Sequence, residues 1–197
     1  MNFWIIALII YIIAALVTLI PTLKAILKKV NLFPSGESFE ESDFFSEKNR
    51  RRLISHYSRI HGTLVFWKNK AEQYKCFHYY CLLWTIPISI LIPTLLQFVA
   101  EQPFAKIFLT VISLHSAILG ALHKSLKIEN NYKAFRQGES EFYDAYRQLL
   151  DDPLSFGDTE ESQLKKYFTT VEQLRKNVRN LEIDNFPQIN NDNDENK

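Results

Sequence analysis

Charged positions avoid three blocks of the chain. No Lys, Arg, Asp or Glu occurs from Met1 to Leu23, from Cys76 to Ala100, or from Ile107 to His123, while the stretches between carry almost all the charge. The first block contains 21 uncharged residues from Phe3 to Leu23, which as a helix at ~1.5 Å per residue match the ~30 Å hydrocarbon core of a bilayer. It lacks the basic start, short apolar centre and small-residue cleavage site of a secretory signal, so it reads as an uncleaved anchor. The second block, residues 77–100, predicts a spanning helix bent by Pro87 and Pro93, each of which removes a backbone donor. The third, residues 105–125 with its apolar part at 107–123, reaches full thickness if Lys106 and Lys124 extend toward the headgroups.

The turn Glu101, Gln102, Pro103 is too brief to recross the membrane, so the second and third spans form an antiparallel hairpin. Lys68, Lys70 and Lys75 precede that hairpin, and Lys124, Lys127 and Lys133 follow it, whereas the turn side holds only Lys106. The positive-inside rule therefore puts both open ends in the cytoplasm. Lys24, Lys28 and Lys29 place the end of the first span on that side too, which leaves the N-terminus outside.

Between the spans the periodicity is helical and amphipathic. Leu53, Tyr57, Ile60, Leu64, Trp67, Ala71 and Tyr74 recur every three or four residues, with no breaker before the second span. One long helix rising into the bilayer is expected. A descending stalk repeats the pattern with Ile128, Tyr132, Phe135, Phe142, Tyr146 and Leu149, and ends at Pro153. Glu139 falls where this seam calls for a hydrophobe, and a buried carboxylate needs a partner; Arg136 and Arg59 are the candidates for a stalk ion pair. A further amphipathic helix, with Leu164, Phe168, Val171, Leu174, Val178 and Leu181, is capped by Asp158 or Thr159. The last stretch, 186–197, is an acidic, Asn-rich tail that cannot bury surface and is expected to be disordered.

The overall balance, net charge +1 over 197 residues with 47% hydrophobic content, averages two unlike parts and excludes a simple soluble domain. Two cysteines, Cys76 and Cys81, do not make a disulfide framework, and five positions apart on a helix they point in different directions. The chain has no second ligand pair to complete a zinc site and no nucleophile elbow, HExxH or phosphate loop. No enzyme, cofactor, metal site or nucleic-acid partner is expected. Arg50, Arg51 and Arg52 read either as a solvated face or as an attractor of anionic lipid or nucleotide phosphate.

His115 lies midway along the third span, where an ionisable side chain is expensive. It either packs against a polar group of the antiparallel partner, with Ser89 and Thr85 at similar depth, or lines a pathway together with them. Ser113, Ser116, Ala117, Gly120 and Ala121 set small residues at helical spacing and mark a helix-packing face, within the chain or between copies.

A two-span hairpin with cytoplasmic stalks and a following helix resembles the SLATT superfamily, the SMODS- and SLOG-associating two-transmembrane effector domains of prokaryotic conflict systems. The resemblance covers about residues 48–185 and rests on element order and on the stretch HKSLKIENNYKAFRQGESEFYDAYRQLL, in which Glu129, Tyr132, Arg136, Glu139 and Tyr143 are similar to the family's Glu, aromatic and Arg pattern. The expected architecture is an all-α membrane protein: an anchor at 1–30, a SLATT-like domain at 46–185, and the tail. The resemblance implies an antiviral or cell-suicide effector that oligomerises and forms a pore or disrupts the inner membrane, triggered by a separate protein that makes or senses a nucleotide. The first span is additional to the minimal domain, and the chain has no nucleotide-handling module of its own. The competing expectation is a non-conducting membrane anchor that recruits a cytoplasmic partner through its stalks.

Overall fold

The structure, a computed structural model, describes residues 2–30, 32, 38–99 and 102–185. It is all-helical among those residues: α1 (Phe3–Leu27), α2 (Glu47–Val99), α3 (Pro103–Ser125), α4 (Ile128–Asp151), a 3-10 turn (Pro153–Phe156) and α5 (Glu160–Asp184). Three of them, α1, α2 and α3, are long and apolar enough to cross a membrane. The expected loop at Pro34, Ser35 and Gly36, the turn residue Glu101 and the acidic tail lie outside the described residues.

The chain divides into two compact units. The first is built from α1, the part of α2 from Gln73 onward, α3, and the first residues of α4 as far as Asn130. Asn2 begins α1, its side-chain oxygen accepting the Trp4 N–H at 3.1 Å. Pro103 stands at the first turn of α3, where its missing N–H costs nothing, after an extended Gln102. α1 packs on α3, and Tyr80, Cys81 and Leu119 form a buried cluster with Leu19, Phe77 and Trp84 against it. Large aliphatic side chains such as Ile10, Ile13, Leu83, Ile90 and Leu114 face outward, the arrangement a hydrocarbon solvent favours.

The second unit takes Lys28–Glu72 and Asn131–Asp184, so it holds the start of α2, nearly all of α4, and α5. Its core is the seam read from the sequence: Leu53, Ile60, Leu64, Trp67, Phe135, Phe142, Leu149, Leu164, Val171 and Val178 are all buried. Leu181, expected on the same stripe, is exposed. Gly138 allows a close approach of helices, since a Cβ on it would lie 2.5 Å from Val178 Cγ2 and 3.4 Å from the Trp67 ring. Gly157, at φ +149°, makes the turn before α5 in a conformation reserved for glycine. Thr159 then caps the helix, its hydroxyl accepting the Ser162 N–H while Ser162 Oγ accepts the Thr159 N–H, a reciprocal box closed by serine. Glu160 reaches the first turn of α2, accepting from Ser46 Oγ and the Asn49 amide at 2.7 Å each, and these bonds hold its carboxyl below the usual range.

One expectation is modified. The hairpin is expected to continue into its stalks, but on the descending side α3 stops at Ser125 and α4 starts at Ile128, with Lys127 at φ 43° between them. A left-handed residue after the last turn is a common helix stop, filled here by lysine in place of glycine. The ascending path is continuous: α2 runs 53 residues and carries both Pro87 and Pro93 inside it.

Candidate functional site

In hydrocarbon, a polar side chain must find its partner within the protein. Several polar side chains of the first unit do so around His115. His115 on α3 meets Tyr11 of α1, whose hydroxyl is 2.5 Å from Nδ1, and Tyr80 of α2, whose hydroxyl is 3.3 Å from Nε2. The Tyr80 hydroxyl also reaches the Ala15 carbonyl at 3.4 Å, and a carbonyl only accepts. One proton assignment satisfies all three contacts: Tyr11 donates to Nδ1, Nε2–H donates to Tyr80, and Tyr80 donates to Ala15. The imidazole is then neutral and serves as the junction of α1, α2 and α3.

Aromatic rings surround that junction. The Trp84 ring lies 5.7 Å from His115 and 4.9 Å from Tyr11, and its indole N–H donates to Thr18 Oγ1 at 2.9 Å. Beside the cluster is an apolar cavity of about 310 Å3 lined by Tyr11, Trp84, Pro87, Phe108 and Ile112 among others. Toward the α2–α3 turn, Trp4 is buried against Phe98 and Phe108 and donates to the Gln102 side chain. At the opposite end of the hairpin His78 Nδ1 stands 2.8 Å from His123 Nε2. One ring donates and the other accepts, so at least one of the two is neutral. Among the described residues no three of His, Cys, Asp or Glu are grouped to hold a metal ion.

The two residues paired with His115 by depth lie elsewhere. Thr85 donates to Cys81 O and Ser89 to Ile86 O, each satisfied by its own helix, and Ser89 is exposed. The residues that do hold the imidazole, Tyr11 and Tyr80, were missed because depth was counted only within the hairpin. A hydroxyl midway along the otherwise aliphatic first span was the available signal. The small residues divide: Ser113 and Ser116 are half-buried, whereas Ala117, Gly120 and Ala121 are exposed, and a Cβ on Gly120 would meet nothing. Cys81 is buried beside Tyr80, and Cys76 is half-buried.

In the second unit Glu139 is buried, with Arg136 Nη1 at 2.7 Å and Lys68 Nζ at 3.8 Å. Of the two candidate partners Arg136 is the one in contact. Arg59 instead lines a groove between α2 and α5. Of the three adjacent arginines, Arg50 and Arg51 both bond Glu47, and Arg52 bonds Glu161 at 2.7 Å.

Compared with models of protein families, with curated proteins and with solved structures, the chain has no match.

Proposed function

We propose that the chain is a three-span inner-membrane effector of a prokaryotic conflict system, which assembles from several copies and opens a path through the bilayer when a separate nucleotide-linked partner triggers it. The lysines flanking the spans support an orientation with the N-terminus outside and the charged unit in the cytoplasm. The observation that carries the reading is the outward face of the spanning unit. Ala117, Gly120 and Ala121 are exposed on α3, and Ser89 is exposed on α2. Small residues gain nothing from lipid but let a second helix approach closely. The interior of one copy is filled by aromatic rings and an apolar cavity, which gives water no path. A conducting state therefore needs several copies, with polar outward positions gathered around a shared axis.

The test is induced expression in bacteria, with membrane potential and entry of an impermeant dye followed together. Wild type should depolarise the cells once the trigger is present, and Gly120→Leu should leave them polarised while the chain still inserts and accumulates. Equal depolarisation by both would remove the small-residue face from the assembly.

A second reading, a non-conducting anchor that recruits a partner, is favoured by one contact set: both His115 nitrogens are occupied within the chain. It predicts cells that stay sealed with every trigger supplied. It also predicts that charge changes on the outer stalk face lose the partner.

A further inference from the structure

Arginine side chains converge in the second unit on a surface that none of the preceding functions uses. On α2, Arg52, His56 and Arg59 follow one another at helical spacing, and on α5 Phe168, Glu172, Arg175 and Arg179 do the same. The facing rows enclose a groove of about 410 Å3, with Arg59, Arg175, Lys176 and Arg179 on its walls and Ile60 and Val171 among its apolar lining. A second groove of about 360 Å3 adjoins it through Arg59 and Phe168, which line both.

Charge pairing inside the groove is incomplete. Among the described residues Glu172 is the one carboxylate on its walls; it pairs with Lys176 at 2.8 Å and feels Arg175 more weakly. Arg59, Arg175 and Arg179 have no carboxylate within ion-pair distance among the described residues, unlike Arg50, Arg51 and Arg52, which all do. His56 adds a ring-nitrogen, Nδ1, that is shut off from solvent without a hydrogen-bond partner. Three like charges turned toward one concavity repel one another, and their planar forks match the paired oxygens of phosphate and carboxylate groups, of which phosphate carries the greater charge.

We propose that this groove binds a ligand carrying two or more phosphate groups, held by Arg59 from α2 and by Arg175 and Arg179 from α5. A single phosphate carries a charge of only about −1.5 to −2 at pH 7 and leaves three guanidinium charges under-neutralised. A polyphosphate chain or a multiply phosphorylated headgroup satisfies them together. The binding step is independent of whether the spans conduct, so it stands or falls apart from the pore reading.

The experiment uses the full chain in nanodiscs. In the soluble arm, inorganic tripolyphosphate is titrated into zwitterionic discs by calorimetry at low and at physiological salt. In the lipid arm, the discs contain a few per cent of phosphatidylinositol bisphosphate, and tripolyphosphate competes. Saturable binding in either arm, weakened at least tenfold by Arg59→Gln and by Arg179→Gln but less than twofold by Arg147→Gln, supports the proposal and identifies the source. Arg147, an exposed arginine of α4 outside the groove, controls for bulk charge. No saturable binding in either arm overturns it, and so does equal weakening by all three variants. Unchanged helix content by circular dichroism separates lost binding from lost fold.

Discussion

The two units of this chain solve opposite packing problems. In the spanning unit Ile13, Ile90 and Leu114 face outward while His115, Tyr11, Tyr80 and Trp84 meet inside. In the other, Leu64 and Phe142 are wholly enclosed and the described charged side chains, Glu139 apart, are at least partly exposed. Water drives the second arrangement, because enclosing a hydrocarbon side chain removes it from a solvent that excludes it. Lipid gives no such drive, so spans associate through close packing and polar contacts. The same residue type therefore has different worth in the two units.

The largest test of that contrast pairs two truncations. Phe142→Ala should cost the second unit about 3–5 kcal/mol, the usual range for an enclosed aromatic ring. Leu114→Ala, which removes a 59% exposed side chain from α3, should cost the spanning unit less than about 1 kcal/mol. Hydrogen exchange of the full chain in nanodiscs reads both, since local protection reports local stability. Comparable losses at the two sites would mean that α3 is packed far more tightly than its exposure indicates.

Gly138→Leu should rank next, at about 1–3 kcal/mol. Its side chain would have to displace Val178 and Trp67, which already stand at contact with a bare Cβ position. The loss should appear as weakened protection of α5. If protection of α5 is unchanged, the helices there move apart at no cost and Gly138 is not a packing constraint.

Much of this was readable in the chain, and the remainder was hidden for identifiable reasons. The seams of α2, α4 and α5 were legible because an interface between helices in water demands a repeat of three and four, as Leu53, Ile60, Leu64 and Trp67 display. The break at Leu126 and Lys127 was not, because neither residue is a glycine or proline and lysine is a good helix former. Polar contacts in the spanning unit join residues 35 and 104 positions apart, Tyr80 and Tyr11 to His115, and no local pattern encodes such a pairing. Lys68 was overlooked as a partner of Glu139 because charges beside a seam look alike until the helices are docked. Arg59 stood beside Arg136 as a candidate partner of Glu139 for the same reason, and its place in the α5 groove followed only from the packed structure.

A pH effect sharpens the contrast further. Burial, reinforced by Arg59 on its own helix and Arg175 on α5, lowers the His56 pKa from 6.5 to about 4. Between those values the unfolded chain binds the proton and the folded chain does not, so stability rises with pH across that window and falls as pH drops from 6.5 toward 4. With His56 only half-buried, solvent screening reduces the effect to on the order of 1 kcal/mol. His56→Gln should flatten the pH dependence of the second unit between 4 and 6.5; an unaltered slope would assign it to other groups.

The smallest expected effect is the most discriminating. Glu139 is the charged side chain drawn into the apolar seam, and its two cations are unlike it: Arg136 is 60% and Lys68 34% exposed at the side chain. Breaking a buried pair is costly when it strands a buried charge. Replacing the carboxylate here strands none, because both cations can turn to solvent, and it removes the desolvation of the one group that is enclosed. Glu139→Leu should therefore change stability by less than about 1 kcal/mol in either direction, unlike truncation of the neighbouring Phe142. Glu139→Gln, which keeps a polar group in the seam without its charge, should be the worse of the two, since the amide stays buried and loses the charged attraction. If leucine proves the more damaging, Glu139 makes a contact beyond Arg136 and Lys68, and the place to look for it is a second copy of the chain, read out as oligomer size in detergent with and without the substitution.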